Sequence, residues 1–327
     1  MPTRRRAFLF LFLLSLLALG SLVLALATGS VSLNLTDGLA VLGGADGLAA
    51  QVLLDLRLPR ALAAFACGGL LALAGALMQV LLRNPLADPY VLGVSGGASV
   101  GALLAMLFGL PLVLINGSAF GGALAATLLV FALGHGEGAW TATRLLLTGV
   151  IVAAGCSAVV ALILAIAPEA QLRGMLFWLL GDLGHAGAPK TALAVLAIAL
   201  VATLPFARDL NVLARGELAA RSRGVPVTRL RGGIQTLASL VTAVAVTTAG
   251  SVGFVGLVVP HLTRLAIGND QRLLLPGAVL AGGTLLTLAD TAARTVAAPV
   301  ELPVGALTAV IGVPIFLFLL TRRGGLA

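Results

Sequence analysis

The sequence predicts an all-α membrane protein with about ten transmembrane helices. Three observations lead there. Composition is 60% hydrophobic and only 10% charged, with a mean hydropathy of +1.12. Long apolar runs recur from one end of the chain to the other. The basic residues fall between those runs in an asymmetric pattern.

A soluble domain carries about 25% charged residues. At 10%, a chain of 327 residues cannot cover a water-soluble surface, so aqueous multidomain readings are excluded. The 41 glycines suit a helical bundle, in which small residues let backbones approach closely. Cys67 and Cys156 both sit in apolar runs and read as small buried side chains rather than a disulfide or a metal site. The net charge of +8 does not point to nucleic acid, because the cations are spread between spans and form no single face.

The first run, 7–28, follows Arg4, Arg5 and Arg6 and is longer than the apolar region of a signal peptide. It reads as an uncleaved first span with its N-terminus in the cytoplasm. The remaining spans are expected near 58–82, 91–108, 112–133, 144–166, 191–206, 230–248, 257–267, 273–296 and 304–320. The third and eighth are short for a crossing, and short segments broken by Gly or Pro are tolerated where they line a cavity inside a bundle. Threaded this way, the chain puts 15 Lys and Arg residues inside and 5 outside, a strong positive-inside bias with both termini cytoplasmic. The five outer cations are Arg57, Arg60, Arg173, Lys190 and Arg294. A Gly/Ala-rich span, a break and a short span occur near 60–108 and again near 230–268, a weak internal echo of the kind transporters show.

The longest inner insert, 208–231, holds six arginines. Within it, Gly216-Glu217-Leu218-Ala219-Ala220-Arg221-Ser222-Arg223-Gly224 predicts a short surface helix. Glycine past the last turn is a common stop, and Glu217 early with Arg221 late suits the helix dipole.

This loop resembles the Glu-Ala-Ala…Gly coupling element of ATP-binding cassette (ABC) importer permeases. Further segments narrow the resemblance to the FecCD family. They are Arg57-Leu58-Pro59-Arg60, Gly75-Ala76-Leu77-Met78-Gln79, Asn84-Pro85-Leu86-Ala87-Asp88-Pro89 and Leu92-Gly93-Val94-Ser95-Gly96-Gly97-Ala98. Gly253-Phe254-Val255-Gly256-Leu257-Val258-Val259-Pro260-His261, Leu288-Ala289-Asp290-Thr291-Ala292-Ala293-Arg294 and Glu301-Leu302-Pro303-Val304-Gly305 complete the set, from about Leu56 to the C-terminus.

The resemblance implies a type II ABC importer permease in a bacterial inner membrane, carrying cobalamin, haem or a ferric siderophore. Its implied partners are a second copy of itself, two ATPase subunits and a periplasmic substrate-binding protein. It implies that Arg57, Arg60 and Arg294 dock that binding protein. It also implies that Gly216, Glu217, Leu218, Ala219, Ala220, Arg221 and Gly224 couple to the ATPases. Asn84, Leu86, Ala142 and Thr143 would form a cytoplasmic gate. Two departures from the family pattern are Arg223, where an apolar residue is usual, and Ala142, where a polar one is frequent.

The residues themselves agree that the engine lies elsewhere. The chain has no phosphate-binding G-x-x-x-x-G-K-[ST] loop, and its only lysine is Lys190 on the expected outer side. No enzyme activity, cofactor or metal site is expected, since no Cys/His cluster has metal-ligand spacing. Asp290 and His261, at membrane depth, read as structural. Phe177 and Trp178 read as part of an aromatic belt.

Two readings from other classes compete with this one. Gly93-Val94-Ser95-Gly96 with His261 could form an intramembrane serine protease. An ion-driven secondary transporter would need buried carboxylates, and Asp290 is the one candidate.

Overall fold

In the computed structural model the structure describes residues 4–29, 41, 43–44, 46–134, 142–184 and 189–322. Among these, every regular element is helical. In chain order they are α1 (Arg4–Ala27), α2 (Leu48–Leu81), α3 (Val94–Leu107), α4 (Leu112–Gly134), α5 (Ala142–Ile166) and α6 (Glu169–Leu180). They continue with α7 (Pro189–Leu213), α8 (Glu217–Arg221), α9 (Val227–Ala249), α10 (Val255–Ile267), α11 (Gln271–Thr295) and α12 (Val304–Arg322). Seven of the described helices are long and apolar enough to cross a bilayer: α1, α2, α4, α5, α7, α9 and α11. Helices α3, α10 and the apolar part of α12 are shorter.

The bundle is organised around α2. Its most apolar stretch is 89% buried, against 11% for α5 and 17% for α1. A helix that is apolar on every side belongs inside, and α2 is surrounded by α7, α9, α10 and α11. Lipid tails are as apolar as leucine, so burial alone cannot pull these helices together, and close backbone contact must. Glycines supply it. Gly68 of α2 lies against the backbone of Gly282 in α11, and Gly75 lies against Gly256 in α10. A second such seam joins α3 to α4, where Gly97 meets Gly122 and Gly101 meets Ser118.

Two short helices begin part-way through the bundle, each after an irregular stretch. Pro89–Leu92 forms one 3-10 turn before α3, and 250–254 is a non-helical break before α10. The two breaks satisfy each other. Tyr90 Oη donates to Val252 O at 2.9 Å and accepts from Val252 N at 3.0 Å. Ser95 Oγ and Ser251 Oγ are 2.9 Å apart. Irregular backbone survives at membrane depth when protein supplies its partners, as it does here. Ser95 is thereby engaged by another serine rather than by a base, and the rival protease loses its nucleophile.

The structure departs from the sequence reading in three places. The last ten residues before the expected second span are helical: α2 starts at Leu48, with Gln51–Arg57 wound as a π-helix. Helix α6, only 12 residues long and carrying Glu169 and Arg173, was not expected. It turns Met175 and Trp178 into the bundle, so Trp178 is a packed core residue and not a belt residue. The insert 208–231 is also mostly helix, formed by the end of α7, by α8 and by the start of α9.

The glycine seams predict a sharp contrast. Gly75→Val should drive a side chain into the Gly256 backbone and cost at least about 1–3 kcal/mol. A cavity-free neighbour such as Gly232→Ala, with open space at its Cβ, should be neutral or slightly stabilising. Thermal unfolding of the two detergent-solubilised variants compares them directly.

Candidate functional site

Functional residues gather at the two ends of the bundle. At one end α2 begins, α11 finishes and α1 finishes. Here the three expected docking arginines converge. Arg60 bridges two carboxylates, reaching Asp290 and Glu301 at 3.0 Å each. Arg294, one turn beyond Asp290, approaches it from the other side at 3.2 Å. Arg57 Nη1 donates to Leu26 O at 2.7 Å, and Arg294 Nη2 donates to Ala25 O at 3.3 Å. These carbonyls belong to the open C-terminal turn of α1, where cations are favoured. Gly29 lies beside them, with the Arg57 guanidinium packed over its Cα.

The geometry refines the sequence reading of these arginines. The resemblance implies that they dock a binding protein; within the chain Arg57 is only 5% exposed, and all three guanidinium groups have partners. They clamp α1 to α2 and α11. Asp290 is buried and bonded within the bundle, as its sequence position suggested. Glu301 is half exposed and was missed as a partner; its place in the Glu-Leu-Pro-Val-Gly segment was the available signal.

The opposite end carries the short helix α8. Gly216 precedes it at φ 127°, a conformation that strains any side chain. After it Gly224 adopts φ 76°. Gly224 N bonds Arg221 O at 3.0 Å and Val225 N bonds Ala220 O at 3.1 Å. That pair of bonds is a Schellman closure, with Val225 and Ala220 both buried beneath it. Glu217 pairs with Arg221 at 2.7 Å and with Arg231 of α9 at 3.0 Å. Arg221's hydrogen bond, helped by the nearby charges of Arg231 and Arg83, holds the Glu217 carboxyl below the usual carboxylate range. Between these anchors Leu218 stands 85% exposed. Behind α8, Asn211 near the end of α7 ties this region to α11. Its amide donates to Asp270 at 2.8 Å and its oxygen accepts from Gln271 N at 2.8 Å.

The expected gate residues lie at this same end. Asn84 Oδ1 accepts from Leu86 N at 2.9 Å, closing a turn just after α2 and leaving Leu86 exposed. Thr143 is exposed at the start of α5. Ala142 begins that helix, and its side chain lies outside the described residues, as does Thr141.

Comparison with known proteins gives this geometry its family. The model of the FecCD transport family matches residues 16–322. The chain belongs to that family. Among FecCD relatives, the hemin transport system permease protein HmuU of Yersinia pestis is 43% identical over 281 residues, 83% of each chain. The vitamin B12 import system permease protein BtuC of Escherichia coli O127:H6 is 40% identical over 279 residues, again 83% of each. Among solved structures, a metal-chelate type ABC transporter in an inward-facing conformation matches with a TM-score of 0.85 and 32% identity. That match covers 97% of this chain and 99% of the other. The complex PsaBC of Streptococcus pneumoniae, at 18% identity and a TM-score of 0.55, shares the fold. This FecCD chain is therefore a multi-pass ABC importer permease with the type II fold.

Two outcomes follow from the site. Asp290→Asn should remove the charge shared by two partly buried guanidinium groups, each of which keeps one other partner, and destabilise the protein by about 1–3 kcal/mol. Glu301→Gln, at the half-exposed edge, should cost less than about 1 kcal/mol. Thermal unfolding of both variants separates them. At the other end, lowering of the Glu217 pKa means that its stabilisation is present above about pH 4.5 and is lost as pH falls through the folded value. Hydrogen exchange at Ala220 and Val225, corrected for intrinsic rates, should therefore lose protection in acid. Glu217→Gln should show weak protection at every pH.

Proposed function

We propose that this chain imports a metal chelate, of the haem, cobalamin or ferric-siderophore class, as the membrane-spanning half of an ATP-driven machine. Two copies would pair around a central path, with an ATPase under each and a substrate-binding protein above. The observation that carries the reading is Leu218. Leu218, on a five-residue helix, is 85% exposed, and its side chain is not packed into its own chain. That helix is nevertheless held by two glycine turns, a Schellman closure and two ion pairs. A rigid apolar knob ringed by charge suits insertion into a cleft of a cytoplasmic partner. The haem and vitamin B12 transport named for the relatives supports the cargo class.

The positive-inside count supports placing the α8 end in the cytoplasm. The arginine cluster then faces the periplasm. Its three cations against two carboxylates leave a net charge of +1, a sign that favours acidic side chains on a docking protein. Leu86 and Thr143, exposed at the cytoplasmic end, would close the path there together with Asn84 and Ala142. The apolar and largely uncovered α5 offers the second copy a surface. An ion-driven mechanism has little support, because Asp290 is already held by Arg60 and Arg294 and cannot carry an ion freely.

The test is Leu218→Asp. The variant should insert and unfold like the parent, yet it should fail to bring down the ATPase and lose at least about tenfold in ATP-dependent uptake of the chelate in proteoliposomes. Normal ATPase capture by the variant would overturn the coupling role of α8.

A further inference from the structure

One cavity lies outside everything described so far. It is a groove of about 420 Å³ between α7 and α9, behind the α8 loop, with Leu77 of α2 at its floor. Phe206, Ile234 and Leu237 form apolar walls. The one hydroxyl in the lining, Thr203, already donates to Ala199 O and Leu200 O. Water would find few partners inside such a space, so an apolar occupant is favoured. Gly233 opens onto it from mid-helix in α9, with nothing within 4 Å of where its Cβ would stand. Glycine there costs about 1 kcal/mol relative to alanine, and no close helix contact accounts for it.

The mouth carries two opposite charges. Arg229 stands on α9 and Asp209 on α7, both lining the groove. Among the described residues neither is engaged in an ion pair or a side-chain hydrogen bond. Beside Arg229, α9 starts after Pro226 with no side chain capping its first amides. An uncapped helix start next to a guanidinium attracts a phosphate. Asp209 accepts a primary ammonium. The groove runs from this mouth along about two turns of α9, or about 12 Å, from Arg229 to Leu237.

From these features we propose that the α7–α9 groove is a binding site for an ethanolamine-type phospholipid. One acyl chain fills the apolar cleft past Gly233, the phosphate lies at Arg229 and the start of α9, and the ammonium meets Asp209. Choline lipids fit less well, since their methylated nitrogen cannot donate to a carboxylate. Glycerol-headed anionic lipids place no cation at Asp209. The site adjoins the loop read above as the coupling element, and a bound lipid would brace the base of α7 and α9 on either side of it. The lipid assignment itself needs no transport activity to be tested.

The experiment is competitive lipid retention. The full chain, purified in neutral detergent, is mixed with equal amounts of dioleoyl phosphatidylethanolamine, phosphatidylcholine and phosphatidylglycerol, and bound lipid is counted by native mass spectrometry. Phosphatidylethanolamine should be kept in preference to the other two by about fivefold. Asp209→Asn should erase its advantage over phosphatidylcholine while leaving total retention near normal. Arg229→Gln should lower retention of all three. Gly233→Leu, which fills open space in a helix, should fold and abolish retention. Equal retention of the three lipids, or undiminished retention by Gly233→Leu, overturns the proposal. So does cross-linking from Phe206→Cys that captures a second copy of the chain in place of lipid.

Discussion

Backbone contact between glycines is the constraint on which the rest of this structure depends. Within a bilayer, packing and hydrogen bonding must hold helices together, because transfer from water contributes nothing between them. Gly68 against Gly282 and Gly75 against Gly256 set α2 directly on α11 and α10. That approach buries the apolar stretch of α2 almost completely and fixes the relative height of α2 and α11. Height matters because the functional residues lie at the ends of those two helices. Arg60 of α2 meets Asp290 of α11 only if the helices keep register.

The arginine cluster shows how charge is kept at a membrane boundary. A buried ion pair is weak evidence for stability, since desolvation offsets much of its attraction. Here the cations have a second use. Arg57 and Arg294 satisfy carbonyls at the end of α1, a helix whose apolar stretch is only 17% buried. Asp290 neutralises and orients two of the three arginines at once. The cluster is thus a clamp on α1, and its residual positive charge is what a partner would meet.

Much of this was legible in the sequence. The apolar runs lie within three residues of both ends of α1, α4, α5, α9 and α11, but they miss the first ten residues of α2 and the last seven of α7, where charged residues interrupt the apolar signal. The α8 turn was legible from Gly216, Glu217, Arg221 and Gly224, because caps and dipole pairs are local. What failed was whatever depends on distant partners. Helix α6 was invisible because twelve residues with Gly174, Arg173 and Glu169 carry no span signal, and its helicity rests on burying Met175 and Trp178. The burial of the arginines was equally hidden. Spacing placed Arg57 and Arg60 at a helix start, yet only the fold brings Asp290, more than two hundred residues away, to Arg60.

The ties at the two ends suggest how they can communicate. Helix α11 has Asp270 and Gln271 joined to Asn211 at one end and Asp290 and Arg294 in the charge cluster at the other. Its 25 residues span about 37 Å, roughly a bilayer's hydrocarbon core and its edges. Glycine contact with α2 leaves little room for α11 to slide, since backbone meets backbone without a compressible side chain between. A displacement of the α7–α8 corner would therefore act on α2 and α11 as a pair. The same rigidity puts the burden of motion on elements with fewer neighbours, chiefly α5 and α12, whose outward faces are apolar and uncovered within one chain.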